Sequence, residues 1–402
     1  MKVLWHSTVP WGGSSYSVLT ARTVPDIARD GHQVFVSTWY GLQGAPQTWT
    51  INKREDRTQR AAIVPILPAI NPASYGMDTL LPNYKAIQAE ALITCMDAWV
   101  MPAAITGQTR FCPWLPVDHD PPPKGVLDAL APAVYPMCFS RWGTELLKAN
   151  GVDAHYVPCS ADTAVFRPGD QAKAREADWW PKEKLTRDSY LVTMVAANKD
   201  HGDRKGFCEA IQGFARFAAK HDDARLYIHS HWKGALDLEH LCQQAGIRDR
   251  VIGPDSLAYL NGVYNDEFMV NVYQASDVLL NTAKSEGFGL PILEAQMCGR
   301  PVAATDFSTT DELLFAGYRI AGQRDWSLGA DSWRLRVYVD SVVDSLEAAY
   351  ADRGNELLRR KARQGGIDYD TFEIHKKYWR PTLRDIEAIA CGVGGELKLV
   401  TF

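Results

Sequence analysis

Residues 275–304 read ASDVLLNTAKSEGFGLPILEAQMCGRPVAA, and this run decides the fold. Ala275 to Thr282 has the apolar continuity of a short buried strand. Pro291 to Cys298 reads as a helix, with proline in its first turn and Gly299 just past its end. Pro301 to Ala304 is a second buried strand. Glu286 therefore falls in a strand-to-helix loop and Glu294 in the first turns of the helix. A helix N-terminus offers free backbone N–H groups and a partial positive charge, which suits a phosphate. A carboxylate on either side accepts hydrogen bonds from a polyol. The run reads as a site for a sugar joined to a phosphate.

The same alternation extends in both directions. Lys2–Trp5 is a strand, the loop after it holds Gly12-Gly13, Tyr16 to Ala28 has helical spacing, and Gln33–Thr38 is the next strand. Further strands are read at 61–67, 91–94, 134–140 and 155–158, with helices at 82–90 and 141–149. After a connector at 161–169 the pattern restarts: strand 190–196, polar loop 198–206, helix 207–220, strand 225–229, helix 236–245, strand 251–253 and helix 266–274. Alternating strands and helices of this kind predict an α/β chain of two doubly wound, Rossmann-like domains. The expected boundaries are 1–165 and 166–371, followed by a C-terminal helix and tail, 372–402, that packs back on the first domain. Residues 170–188, with Trp179-Trp180, read as a surface excursion, and the mixed-charge run Lys53–Arg57 as a solvated face.

Two loops stay open between readings. Gly12-Gly13 suits either a close backbone approach to a ligand or a tight turn needing positive φ. Asp118-His119-Asp120, framed by prolines, suits either a ligand-facing loop or a plain turn, and a metal site would need more ligands.

Composition sets bounds on function. The chain has 402 residues, 46% of them hydrophobic and 23% charged, an ordinary globular balance. A net charge of −5 gives no support to general nucleic-acid binding, although a local basic groove stays open. The 8 cysteines are scattered without a C-x-x-C pair, as expected of reduced, mostly buried thiols in a cytoplasmic protein. Met1–His6 reads as a first strand rather than a signal peptide, and no apolar run is long enough to span a bilayer. The 13 tryptophans suit a core, or surface rings that stack on sugars.

With these residues in view, the chain resembles the retaining glycosyltransferases of family four, which have the architecture called GT-B: two Rossmann-like domains facing across a cleft. The most specific match is Glu286-Gly287-Phe288-Gly289-Leu290-Pro291 through Glu294-Ala295, similar to that family's E-x7-E signature. Supporting matches are Pro10-x-Gly12-Gly13, Asp30-Gly31-His32, Val157-Pro158 with Asp162 to Pro168, and Arg204-Lys205-Gly206. The resemblance implies that Glu294 accepts hydrogen bonds from the ribose of a nucleotide and that Glu286 holds hydroxyls of the donor sugar. It implies that Gly287, Phe288, Gly289 and Leu290 line the sugar and diphosphate, and that Lys205 is the cation on the diphosphate. Gly12 and Gly13 match the first-domain loop that approaches the diphosphate. His119 matches a histidine facing the sugar, with Asp118 and Asp120 competing for that place. The family's arginine a few residues before the lysine is replaced by Asn198, with Lys199 beside it. The second cation is thus left open between Lys199, Arg204 and none.

The expected activity is retaining transfer of a sugar from a nucleotide diphosphate sugar to an acceptor hydroxyl, with Glu286, Lys205 and His119 as the catalytic set. No cofactor and no metal are expected. The acceptor is expected to be a protein or saccharide, because no basic amphipathic helix for a membrane surface is evident in the first domain. The same fold would also suit a sugar phosphorylase, a nucleotide-sugar epimerase or a non-catalytic sugar-nucleotide-binding protein.

Overall fold

The structure is a computed structural model that describes residues 1–52, 61–181 and 183–392. The charged run Lys53–Arg57 lies outside the described residues. The chain forms two compact units. The first takes Met1–Val117, Pro122–Ser160 and the chain from Thr371 onward; the second takes Ala161–Asp370 and the short piece Asp118–Pro121.

The second unit is built on six parallel strands: β9 (Tyr190–Val195), β10 (Ala224–His229), β11 (Val251–Ile252), β12 (Val278–Asn281), β13 (Val302–Thr305) and β14 (Gly317–Ile320). Their order across the sheet is β11-β10-β9-β12-β13-β14. Chain connections therefore leave β9 on one side and return at β12 on the other, and the loops after these two strands open at the same edge. In open α/β sheets that crevice is where ligands bind. Every residue of β12 and β13 is buried, as are the first five of β9. Strands covered on both faces read as unbroken apolar runs, which is why they were legible without alternation. The helix Phe207–Ala218 covers one face with Phe207, Ile211, Phe214 and Phe217.

Among the described residues the first unit has eight strands, β1 (Lys2–Ser7), β2 (Gln33–Thr38), β3 (Gln47–Ile51), β4 (Ala62–Pro68), β5 (Ala91–Cys95), β6 (Phe111–Leu115), β7 (Met137–Cys138) and β8 (His155–Tyr156), in the order β3-β4-β2-β1-β5-β6-β7-β8. All neighbours are parallel except β3 (Gln47–Ile51) and β4 (Ala62–Pro68). The doubly wound architecture expected from the pattern is thus present in both units. Here the order reverses between β1 (Lys2–Ser7) and β5 (Ala91–Cys95). The loop after β1 carries Gly12 and leads into the helix Ser15–Arg29, whose N-terminus is capped by Ser14 accepting from the Ser17 N–H. Gly12 does not have a positive φ. A Cβ there would sit 2.5 Å from Ser17 Oγ, so close packing rather than a left-handed turn requires glycine. The chain from Thr371 runs through a π-helical turn, His375–Trp379, into the helix Arg380–Ala390. Trp379 packs its ring against Trp5 and Trp114.

The stretch 170–188 differs from its reading as a surface excursion. It opens with the helix Gln171–Arg175, and Trp180 is only 1% exposed, packed with Ala174, Leu185, Leu191 and Tyr227. Arg175 is buried as well. It donates to the Asp277 carboxylate at 2.6 Å and to the carbonyls of Ala275, Arg187 and Ser189, tying this segment to the start of β12. The polar composition misled because its key cation is fully bonded inside the fold.

Candidate active site

Lys205 and Glu286 meet at the switch point of the second unit. The Lys205 ammonium donates to Glu286 Oε1 at 2.7 Å, and the Asn281 amide donates to the same oxygen at 3.3 Å. Each partner reaches this place through its loop. Gly206, at φ +68, follows Lys205 and starts the helix Phe207–Ala218. A Cβ on Gly206 would lie 2.2 Å from the Thr282 carbonyl oxygen, so only glycine lets the loop after β9 touch the end of β12. The Thr282 hydroxyl fixes that approach by donating to the Gly206 carbonyl at 2.8 Å and the Lys205 carbonyl at 3.2 Å. Glu286 is held by its backbone N–H, which donates to Ser308 Oγ at 3.3 Å. Ser308 is buried and sits at φ +56, a strained conformation for a side-chain-bearing residue.

The electrostatics favour a charged pair. Burial pulls the Lys205 ammonium below the usual lysine range, and the Glu286 carboxylate beside it acts in the opposite sense. Burial pushes Glu286 up, but the positive charges of Lys205 and Arg204 outweigh it and hold the carboxyl below the usual glutamate range.

Two helix N-termini face this region and differ in what they offer. At Phe207–Ala218, the Asp203 carboxylate accepts from the N–H groups of Phe207 at 2.8 Å and Cys208 at 2.9 Å, so an acid of the chain already occupies it. At Leu290–Met297 the cap is Gly289, at φ +99, and no side chain caps the helix. Pro291 has no N–H and the Ile292 N–H donates to the Gly289 carbonyl at 2.9 Å, so the Leu290 N–H and the partial positive charge of the helix end remain for a ligand anion. Gly287, Phe288 and Gly289, which lead into it, are buried. Glu294 lies farther along the same helix, 7% exposed, and its Oε2 accepts from the Tyr273 hydroxyl at 2.9 Å.

The piece Asp118–Pro121 adds a second cluster to this unit. Arg204 donates to the Ser285 carbonyl at 2.9 Å and to Asp118 Oδ2 at 3.4 Å. The other oxygen of Asp118 lies 2.7 Å from His119 Nδ1. Burial alone would raise the Asp118 carboxyl. The His119 hydrogen bond and the Arg204 charge outweigh it and hold the group well below the usual carboxylate range. An ionised Asp118 orients the His119 ring by accepting its Nδ1–H. His119 Nε2 is buried and has no hydrogen-bond partner among the described residues.

The loop residues expected to bind a donor thus separate. Arg204 and Lys205 join Glu286 and the Asp118–His119 pair. Lys199 is exposed. Asn198 is committed elsewhere: its amide donates to the carbonyls of His231 at 2.9 Å and Leu236 at 2.7 Å, and its oxygen accepts from the Leu236 N–H at 2.9 Å. The donor-binding role expected for the Asn198 side chain gives way to a loop tie. Gly12 and Gly13 belong to the first unit. Asn281, Thr282 and Ser308 were not singled out in the sequence. The usable signal for the first two was a pair of polar residues closing an otherwise apolar parallel strand. Among the described residues, no group of three or more His, Cys, Asp or Glu is placed to hold a metal ion.

Residues 180–323 match the family described as Glycosyl transferases group 1. The chain is 31% identical over 226 residues to a D-inositol 3-phosphate glycosyltransferase of Acidothermus cellulolyticus, covering 49% of this chain and 47% of that protein. It is 42% identical over 150 residues to the enzyme of that name from Mycolicibacterium smegmatis, covering 36% and 30%. The chain thus spans about half the length, or less, of these curated relatives. Among solved structures, a sucrose-phosphate synthase from Thermosynechococcus elongatus superposes with a TM-score of 0.72 at 15% identity, over 96% of this chain and 100% of that one. The Anabaena HepE protein in complex with UDP and glucose does so with a TM-score of 0.66 at 14% identity, over 96% and 99%. The chain has the GT-B fold, and the stretch that carries Lys205, Glu286 and the uncapped helix matches the Glycosyl transferases group 1 family.

Proposed function

We propose that the protein is a retaining, metal-independent glycosyltransferase that moves a sugar from a nucleotide diphosphate sugar to an acceptor hydroxyl. One observation carries this reading: the Lys205–Glu286 pair sits at the strand-order switch point beside the uncapped N-terminus of Leu290–Met297. The bond from the anomeric carbon to the diphosphate breaks as positive charge develops on the sugar. Lys205 and the Leu290–Met297 N-terminus stabilise the negative charge gathering on the leaving diphosphate. Glu286 accepts hydrogen bonds from sugar hydroxyls. His119, its Nδ1–H held by Asp118, presents Nε2 as an acceptor to a further sugar hydroxyl. Glu294 accepts from the ribose hydroxyls. The acceptor oxygen attacks on the face that the diphosphate leaves, and a phosphate oxygen takes its proton, so configuration is retained. The complex of Anabaena HepE with UDP and glucose makes a UDP-sugar the first donor to try.

The test pairs binding with turnover. A panel of nucleotide sugars is screened by thermal shift, where a ligand at about 100 times its Kd stabilises by about 2.7 kcal/mol. Lys205→Ala is then assayed with the responding donor and is expected to lower turnover by roughly 10²–10³. Absence of any thermal response, or near-normal turnover in the variant, would sink the proposal.

A further inference from the structure

Beyond β14, residues Gly322–Ser327 (β15) and Ser332–Val337 (β16) form an antiparallel hairpin, paired from Gly322↔Val337 to Ser327↔Ser332. The Glycosyl transferases group 1 match ends at residue 323. Nearly the whole hairpin therefore lies outside the matched stretch.

A two-stranded hairpin is marginal on its own. This one is rooted in the loops that build the candidate site. The Trp333 N–H donates to the Asp120 carbonyl and the Asp120 N–H to the Trp333 carbonyl, both at 3.1 Å. Leu335 N–H donates to the Lys284 carbonyl at 2.9 Å. The Ser332 hydroxyl donates to the Pro121 carbonyl at 2.5 Å, and Arg324 to the Asp120 carboxylate at 3.1 Å. One strand is thus bonded to the residue after His119 and to the residue two before Glu286.

From this root the hairpin holds two indoles in solvent. Trp326 and Trp333 are directly opposed cross-strand partners and so share one face. Their rings lie 4.8 Å apart at 75°, with the residues 39% and 36% exposed. Large aromatic surface left in water on a fixed scaffold marks a contact surface. The charges around it indicate what kind. At the strand positions that share the rings' face the cation is Arg324, paired with Asp120, while Arg334, paired with Asp325, and the exposed Arg336 alternate onto the opposite face, so the rings' own face carries little net positive charge to draw a polyanion or an anionic bilayer. What remains is an apolar surface of two indole rings set edge to face, with the Arg324–Asp120 ion pair on the same side of the hairpin. That suits a ligand with C–H faces and hydroxyl edges.

We propose that Trp326 and Trp333 form a stacking platform for a saccharide, and that this saccharide is the acceptor of the transfer. The acceptor role rests on the glycosyltransferase reading above; the saccharide binding does not. The test uses saturation-transfer NMR on the full chain with maltotetraose, cellotetraose and chitotetraose as probes. At least one probe is expected to receive saturation. The Trp326→Ala, Trp333→Ala double variant is expected to weaken that binding by about tenfold or more, as loss of an aromatic anchor does, and Trp333→Phe to retain most of it. Nucleotide-sugar thermal shifts on the same samples monitor the donor side and should be unchanged in the variants. Absence of saturation of every probe, or equal saturation in the double variant, overturns the platform. Hairpin-dependent binding to phosphatidylglycerol vesicles in place of the sugars overturns the saccharide assignment. Should no nucleotide sugar shift the wild type while tryptophan-dependent saccharide binding persists, the transferase reading fails and the platform stands.

Discussion

Lys205 is poised between two opposed influences, and a single substitution separates them. Burial lowers its pKa and the Glu286 carboxylate 2.7 Å away raises it. Glu286→Gln keeps the size of the side chain and removes the charge. The lysine then loses its proton at lower pH, so the alkaline limit of nucleotide-sugar binding should move to lower pH in the variant. Calorimetric titration of donor affinity against pH checks this; an unmoved alkaline limb would show that Lys205 does not need Glu286 to stay charged. The two residues were legible because each belongs to a local pattern: an acid in a glycine-rich strand-to-helix loop, and a lysine before a glycine that opens a helix. Their supports were not. Asn281 reaches Glu286 across five residues, but Ser308 is 22 positions away and Arg204 meets Asp118 across 86. Such partners are set by how strands line up across the sheet, and no local spacing encodes that. Asn198 illustrates the converse, since a polar residue in the right loop is spent on the backbone of His231–Leu236.

Glycine at 206 links β9, the helix after it and the end of β12. Gly206→Ala would place a methyl group 2.2 Å from the Thr282 carbonyl oxygen at a φ of +68. Strain at positive φ and overpacking each cost about 1–3 kcal/mol. The variant should lose roughly 2 kcal/mol or more, or about 4–8 °C in the melting of the second unit. Because the displaced residue is next to Lys205, donor affinity should fall as well. A variant that melts normally and binds donor normally would mean the loop relaxes without cost, contrary to the close approach seen here. The strands and helices of this unit were readable where burial is two-sided or where apolar residues recur at helical spacing, as in Phe207, Ile211, Phe214 and Phe217. The hairpin β15–β16 offered neither signal. Its sequence interleaves Arg324, Asp325, Arg334 and Arg336 with two exposed tryptophans, and what anchors it is backbone pairing to Lys284 and to the far more distant Asp120.

The chain crosses from the first unit to the second and returns, so the helix Arg380–Ala390 must be secured to a part of the first unit that lies 350 positions earlier in the sequence. Asp30 supplies a clasp within the first unit. Its carboxylate accepts two hydrogen bonds from Arg380, both at 2.8 Å, and lies 2.7 Å from His375 Nε2. The Asp30-Gly31-His32 motif, quoted above as a family likeness, therefore has a structural task. Burial would raise the Asp30 carboxyl, but the hydrogen bonds from His375 and Arg380 outweigh it and hold it well below its ordinary 3.8. A carboxyl depressed in the folded state stabilises above its unfolded value and loses that contribution as pH falls through and below it. The ion pair is partly exposed, which reduces its worth. Asp30→Asn should therefore cost about 1–2 kcal/mol near neutral pH, within the range for hydrogen bonds to charged groups. The difference from wild type should begin to shrink as pH drops below about 3.8 and continue to shrink further down. Since a two-unit chain need not melt in one step, the measurement is hydrogen exchange of the helix Arg380–Ala390, which reports opening of that helix directly. Faster exchange in Asp30→Asn at pH 7, converging on wild type in acid once intrinsic rates are corrected, is the expected result. A constant gap across the whole pH range would show that the helix is held by the packing of Trp379 on Trp5 and Trp114 rather than by the charge of Asp30.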